Sequence, residues 1–227
     1  GVQWYAAGYC DEEQVRWAGR LFRHYCIEGK TDPLSPDPYE LRHIANPDFA
    51  DAAKGWDLKP AEPGSIAPRT HHGYGHLQSR YWESNVGDTV MWMKRSATKP
   101  NAVSQEIRNL TPGRLYSMKM ISGDFQDLVQ EKSEKKTHGL SIKLDNVELL
   151  SGPRQSFDYV YHNNYAHGLG KFTAKYNYWM TYHWRVFRAK AATSRLVISD
   201  WRTQEDPGGP IGQEVMFNFI EIQPYLE

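Results

Sequence analysis

The chain of 227 residues (26.2 kDa) carries 27 Lys plus Arg against 27 Asp plus Glu, with 40% hydrophobic residues. It is long enough to bury one large core and too apolar for wholesale disorder, and its even charge balance gives no global field to attract nucleic acid. No apolar run approaches the ~18 residues of a membrane span.

Residues 11 to 28 predict a helix. Asp11 is placed to cap it, Glu12 and Glu13 suit the positive end of its dipole, and Gly29 can end it. Val15, Ala18, Phe22 and Tyr25 recur at helical spacing, an apolar stripe expected to pack on something. Cys10 and Cys26 flank this helix. At ~1.5 Å per residue they stand about 24 Å apart, beyond disulfide reach, and read as free thiols or small buried hydrophobes. Pro33, Pro36 and Pro38 bar a helical continuation. A boundary is therefore expected near residue 44: residues 1–44 form a helical segment and linker, read as the tail of a preceding domain, and residues 45–227 form the main domain.

From Asn46 onward the pattern changes to short β-like runs. Thr89 to Met93, Val103 to Ile107, Leu115 to Ile121, Leu140 to Val147, Tyr182 to Phe187, Arg195 to Ser199 and Val215 to Ile222 read as strands. Pro112-Gly113, Ser151-Gly152-Pro153 and Asp206-Pro-Gly-Gly-Pro210 mark turns between them. Strand following strand without helix predicts a mainly β fold, an antiparallel β-sandwich of jelly-roll type behind a short N-terminal helical segment. The charged run Gln130 to Lys136 reads as a solvated loop.

Several motifs recur in a recognisable order. Asn46-Pro-Asp-Phe49 is followed by Gly55-Trp56, and Val103-Ser-Gln-Glu-Ile107 by Leu110-Thr-Pro-Gly-Arg-Leu-Tyr116. Later come Trp184-Arg-Val-Phe-Arg-Ala189, Leu196-Val-Ile-Ser-Asp200 and Asn218-Phe-Ile-Glu-Ile222. Over residues 46 to 224 this order resembles the galactose-binding-like β-sandwiches, in particular the carbohydrate-binding modules appended to glycoside hydrolases. The stretch from Gly123 to Tyr178 is longer than in those modules, and Ala50 stands where they often carry an acidic residue. The resemblance implies a non-catalytic module that binds a polysaccharide or oligosaccharide. It also implies a larger carbohydrate-active protein with a catalytic domain ahead of the module, in an extracellular or periplasmic setting. A structural calcium ion is part of the same implication, with Asp48, Asp200 and Glu221 as its hard oxygen ligands.

The residues offer their own candidates. With 8 Trp, 14 Tyr and 8 Phe and a mean hydropathy of −0.70, the chain has many flat amphipathic rings, which suit strands or a hydroxyl-rich ligand equally. The densest cluster is Tyr159 to Trp184, where Tyr161, His162, Asn163, Asn164, Tyr165 and His167 supply stacking and hydrogen-bonding groups. If Tyr182, Trp184 and Val186 share the core face of one strand, then Trp179, His183 and Arg185 face outward as binding candidates. The segment His71 to Trp82, including Tyr74 and Trp82, reads as a second, exposed loop, and Trp201 as a third platform. No zinc spacing is present. Two other readings stay open: a structural β-sandwich bracing a partner domain, and a jelly-roll polysaccharide lyase or glycosidase, the latter needing two carboxylates about 5 to 10 Å apart.

Overall fold

The structure, a computed structural model, describes residues 10, 12–34, 43–77, 86–132, 134–163 and 178–225. Among them eleven strands form two antiparallel sheets. The smaller sheet runs in the order β1 (Asp57–Lys59), β4 (Ala102–Ile107), β10 (Ser194–Ser199), β6 (Ser141–Leu144). The larger runs β2 (Ile66–Thr70), β3 (Thr89–Lys94), β11 (Glu214–Pro224), β5 (Leu115–Asp124), β9 (Tyr178–Ala189), β7 (Val147–Leu149), and β8 (Ser156–Asn163) pairs with the rest of β9. The protein is the expected β-sandwich.

The differences from the expected strands have local causes. Leu140 to Val147 is split by a turn at Asp145-Asn146, where Asn146 takes φ +54, a left-handed conformation that asparagine tolerates. Strand β2 contains Pro68 and so does not read as a strand, but it lies at the sheet edge, where a missing N–H breaks no ladder.

Between the sheets, Val103, Ile107, Leu196 and Ile198 of the smaller sheet meet Met91, Met118, Met120, Phe187, Phe217 and Ile222 of the larger in one buried cluster. The opening motif plugs the end of this core. Phe49 is fully buried, with its ring 5.3 Å from Trp56 and 5.8 Å from Phe217. Burying such a side chain contributes about 1.5 to 3 kcal/mol. Asn46 closes its own loop: its amide donates to the carbonyls of Ala52 and Lys54, and its carbonyl Oδ1 accepts from Asp51 N–H. Gln105 of β4 ties that loop down by accepting from Ala45 N–H and donating to the Ala45 and Gly55 carbonyls. Tyr116 acts likewise, its hydroxyl accepting from Thr111 N–H.

At the other end a single cation gathers three loops. Arg95 is almost wholly buried, and its guanidinium donates to the carbonyls of Asp200, Pro207 and Gly139 and to Gln213 Oε1. Asp200 is itself committed to Asn101, accepting from its backbone N–H at 2.9 Å and its side-chain amide at 2.7 Å. A buried carbonyl that loses its donor costs about 1 to 3 kcal/mol. Arg95→Met is therefore expected to lower stability by about 3 kcal/mol or more, read as a shifted urea midpoint at unchanged slope. A loss below about 1 kcal/mol would show that the loops hold without the cation.

Candidate functional site

Helix α1 (Glu12–Leu21) runs directly into a π-helix over Phe22–Ile27, and Gly29, at φ +64, lies just beyond the helical end. The stripe of Val15, Ala18, Phe22 and Tyr25 does not form the buried face: Val15 and Tyr25 are exposed and Ala18 and Phe22 only half-buried, whereas Glu13 and His24 are buried. The cause lies on the outer face of the larger sheet. There β5 carries Lys119, buried to 4% exposure, and an ammonium out of water requires an anion. Glu13, 1% exposed, lies 3.0 Å from Lys119 Nζ, and Ser117 Oγ donates to its two oxygens at 3.1 and 2.9 Å. The Lys119 ammonium also sits 4.6 Å from the centroid of the Trp184 ring, within cation–π range. Burial pushes the Glu13 carboxyl above its ordinary range, although Lys119, Ser117 and Gln223 pull the other way. One turn further along the helix, Arg16 Nη1 donates to the Tyr225 hydroxyl at 3.1 Å.

The docked helix forms one wall of a groove of about 370 Å³. Trp184 and Phe157 lie at its base, stacked at 5.5 Å, with Tyr182 edge-on to Trp184 at 6.0 Å. Tyr159, 61% exposed, and Tyr225 extend the aromatic lining, and Pro153 and Arg154 of the turn before β8 stand opposite the helix. A second hollow of about 420 Å³ shares Arg16, Pro153, Arg154 and Tyr225 with the first, so the two adjoin along the helix. Aromatic rings at the base with arginine and glutamate at the rim can stack on an apolar ligand face and hydrogen-bond its hydroxyls.

The register of β9 places its side chains on the opposite faces from those expected. His183 pairs with Met120, whose side chain belongs to the core between the sheets, while Trp184 pairs with Lys119. Trp184 and Val186 pack with Leu115 and Tyr225 in a separate cluster on the outer face, so Trp184 is a core residue, but of the helix-covered side. His183 is fully buried rather than outward-facing, and Arg185 is half-buried and engaged. Arg185 Nη2 lies 2.8 Å from Asp158, and its Nη1 donates to the Phe157 and Trp184 carbonyls. Trp179 is half-buried with Lys135 Nζ 5.2 Å from its ring centroid.

The inner face carries an array that resembles nucleophilic machinery. Ser122 Oγ is 2.8 Å from His183 Nε2, and His183 Nδ1 is 2.9 Å from Asp158 Oδ1. Burial would raise the Asp158 pKa, but His183 and Arg185 outweigh it and hold the carboxyl below its ordinary range. In a working triad the hydroxyl opens to substrate and the carboxylate is enclosed. Here the order is reversed: Ser122 is 0% exposed and the Asp158 side chain is 35% exposed. The array is a rigid brace across β5, β9 and β8.

The other expected platforms are also internal. Trp201 is buried and donates from Nε1 to the Ser96 carbonyl. Tyr74 opens α2 (Tyr74–Leu77) and stacks on Phe219 at 6.1 Å, buried because Asp88 accepts from Gly73 and Gly75 N–H and folds that loop inward. The backbone of Tyr161, His162 and Asn163 lies in β8, and Asn164, Tyr165, His167 and Trp82 lie outside the described residues. Two of the residues that the resemblance implies for calcium, Asp200 and Glu221, have other partners or neighbours in the fold. Each carboxylate oxygen of Asp200 accepts from Asn101, and Glu221 is in register with Lys119 on the larger sheet. Among the described residues no group of three His, Cys, Asp or Glu side chains is gathered for a metal. Cys10 and Cys26 are free, and no helix of the described residues is long and apolar enough to cross a membrane. Sequence reasoning missed Arg16, Arg154, Phe157 and Tyr225, which no local spacing connects.

No family model matches the chain, and no curated protein matches it. Solved structures similar to it include carbohydrate-binding modules, as the motif order suggested. The CBM61 module in complex with β-1,4-galactotriose is 10% identical, with 82% of this chain and 99% of that one covered at a TM-score of 0.40. The CBM4 module is 13% identical, with 80% and 99% covered and a TM-score of 0.32. The enzymatically active domain of bacteriophage CBA120 tailspike protein 4 is 9% identical, with 81% and 21% covered and a TM-score of 0.44. At these values none of the likenesses assigns a role to a residue of the groove.

One titration follows from the inner face. His138 is buried beside Thr181, with Nδ1 3.0 Å from its hydroxyl, and burial pulls its pKa down to about 3. Below about pH 6.5 the unfolded chain binds this proton and the folded protein does not, so stability falls as pH drops from there toward about 3. The slope attributable to His138 is at most about 1.4 kcal/mol per pH unit. His138→Gln should flatten the urea-unfolding profile between pH 6 and 4 by up to that amount. An unchanged slope in the variant would show that other groups set the acid limit.

Proposed function

We propose that this chain is a non-catalytic carbohydrate-binding module that takes a sugar chain in the groove between helix α1 and strands β8 and β9. The observation that carries the reading is the aromatic lining itself. Phe157, Tyr159, Tyr182 and Trp184 border an open groove of about 370 Å³, alongside Glu12, Glu13, Arg16 and Arg154. A module that merely braced a neighbour would have these rings against a flat contact surface, not around a hollow. The motif order of the sequence supports the same reading. Attachment to a catalytic domain and an extracellular setting belong to it as further expectations.

The proposal places the site on the outer face of the larger sheet, so it makes Tyr159 the stacking anchor. Affinity electrophoresis of the purified chain against a polysaccharide panel identifies the best glycan, and calorimetry then measures it. Tyr159→Ala should weaken that binding about thirtyfold, as expected when truncation of an anchor costs ~2 kcal/mol. It should leave the melting temperature nearly unmoved, because Tyr159 is 61% exposed. Trp179→Ala is the comparison on the other face and should bind as the parent does. Loss of binding in Trp179→Ala with Tyr159→Ala unaffected would move the site to the inner face.

A further inference from the structure

The groove has an arginine on each side. Arg16 comes from helix α1 and Arg154 from the turn before β8, and both line each of the adjoining hollows. Both guanidinium groups are directed at one atom. Arg16 Nη2 is 2.5 Å and Arg154 Nη1 is 3.5 Å from Oε1 of Glu12. The helix wall and the turn wall are thus bridged by a carboxylate at the mouth of the groove.

The helix is already docked by Glu13 and Lys119 one position away, so Glu12 is not needed to hold it. The partners are open to water, with side-chain exposures of 47% for Glu12, 36% for Arg16 and 78% for Arg154. Ion pairs this exposed are worth about 0 to 1 kcal/mol, so an incoming anion can displace Glu12 at small cost. A guanidinium fork matches a planar carboxylate through two parallel hydrogen bonds, and that match is stronger than a neutral contact to a hydroxyl. The rim charges also favour an anion. With Glu13 neutralised by Lys119, two arginines against one glutamate leave a net charge of +1 among the described lining residues.

We infer that the groove selects an acidic saccharide, one whose uronic-acid carboxylate is taken between Arg16 and Arg154, and that Glu12 is a resident stand-in for that carboxylate which the ligand must displace. This rests on the carbohydrate-binding reading above and adds to it the ligand's charge. The aromatic base stacks on the sugar ring while the two arginines read its acid group. Glu12 lowers affinity for every acidic ligand by competing for the same donors, and so sets how much acid a glycan must carry to bind.

The test uses the full chain and matched probes. Oligogalacturonate, alginate oligomers and hyaluronan oligomers are each titrated calorimetrically beside their carboxyl-reduced, neutral counterparts. At least one acidic oligomer should bind tenfold or more tightly than its reduced form, and its affinity should fall as salt rises. Arg154→Gln should lower that affinity at least tenfold at an unchanged melting temperature. Glu12→Gln should raise it about three- to tenfold, a gain that no merely structural role for Glu12 provides. Equal or tighter binding of the neutral forms would overturn the inference while leaving sugar binding in place. So would Glu12→Gln binding the acidic probe no better than the parent. Failure of the acidic probes, their neutral counterparts and the broader polysaccharide panel together would overturn both this inference and the carbohydrate-binding reading.

Discussion

Lys119 stands in the middle of the larger sheet with its ammonium out of water, and a charge in that position needs a counter-charge before the strand around it can pack. Glu13 supplies it from more than a hundred residues away, and Ser117 and the face of Trp184 complete the enclosure. This one contact decides the part of the outer face that helix α1 covers. It sets where helix α1 lies and which side of that helix is hidden. The helix is held on this face by a polar contact and not by its apolar residues, Val15 and Tyr25 being exposed. Had Val15 and Tyr25 been the buried face, the aromatic rings of β8 and β9 would have been the natural surface for them to cover.

The two faces of the larger sheet divide the work between them. The inner face is spent on rigidity: His183, Ser122, Asp158 and Arg185 lock three neighbouring strands, and Arg95 draws three loops together. Buried polar networks of this kind fix one arrangement because each partner left alone is costly. The outer face can then hold exposed aromatic side chains in fixed positions, which is what a stacking site needs if ordering is not to be charged against binding.

Much of the sandwich was legible in the sequence because its signals are local. Asn46, Phe49, Trp56, Gln105 and Tyr116 sit in short motifs, and each closes a nearby loop or plugs the core, so their order reports the architecture. For the same reason they report nothing about a ligand. The facing of β9 was illegible for a different reason: both of its faces are largely buried, one toward the second sheet and one beneath helix α1 and beside Phe125 and Leu128, so alternation identifies two sides without saying which is which. Glu13 and Lys119 look like any solvated charges when read in sequence. Arg16 and Tyr225 meet across 209 residues, a juxtaposition that only the fold creates. The candidates Trp201 and Tyr74 failed as exposed platforms because their loops turn inward, through Trp201 Nε1 to the Ser96 carbonyl in one case and the Asp88 carboxylate in the other.

The dependence of the groove on one buried ion pair is tested most directly by native-state hydrogen exchange in Glu13→Ala. With Glu13 truncated, helix α1 loses its anchor on Lys119 and should come free of the sheet. The amides of Phe22 to Ile27 should then lose their protection while those of β5 and β9 keep theirs, and glycan binding should disappear with them. A variant whose helix amides stay protected and whose binding equals that of the parent would contradict the central role given to Glu13 and Lys119.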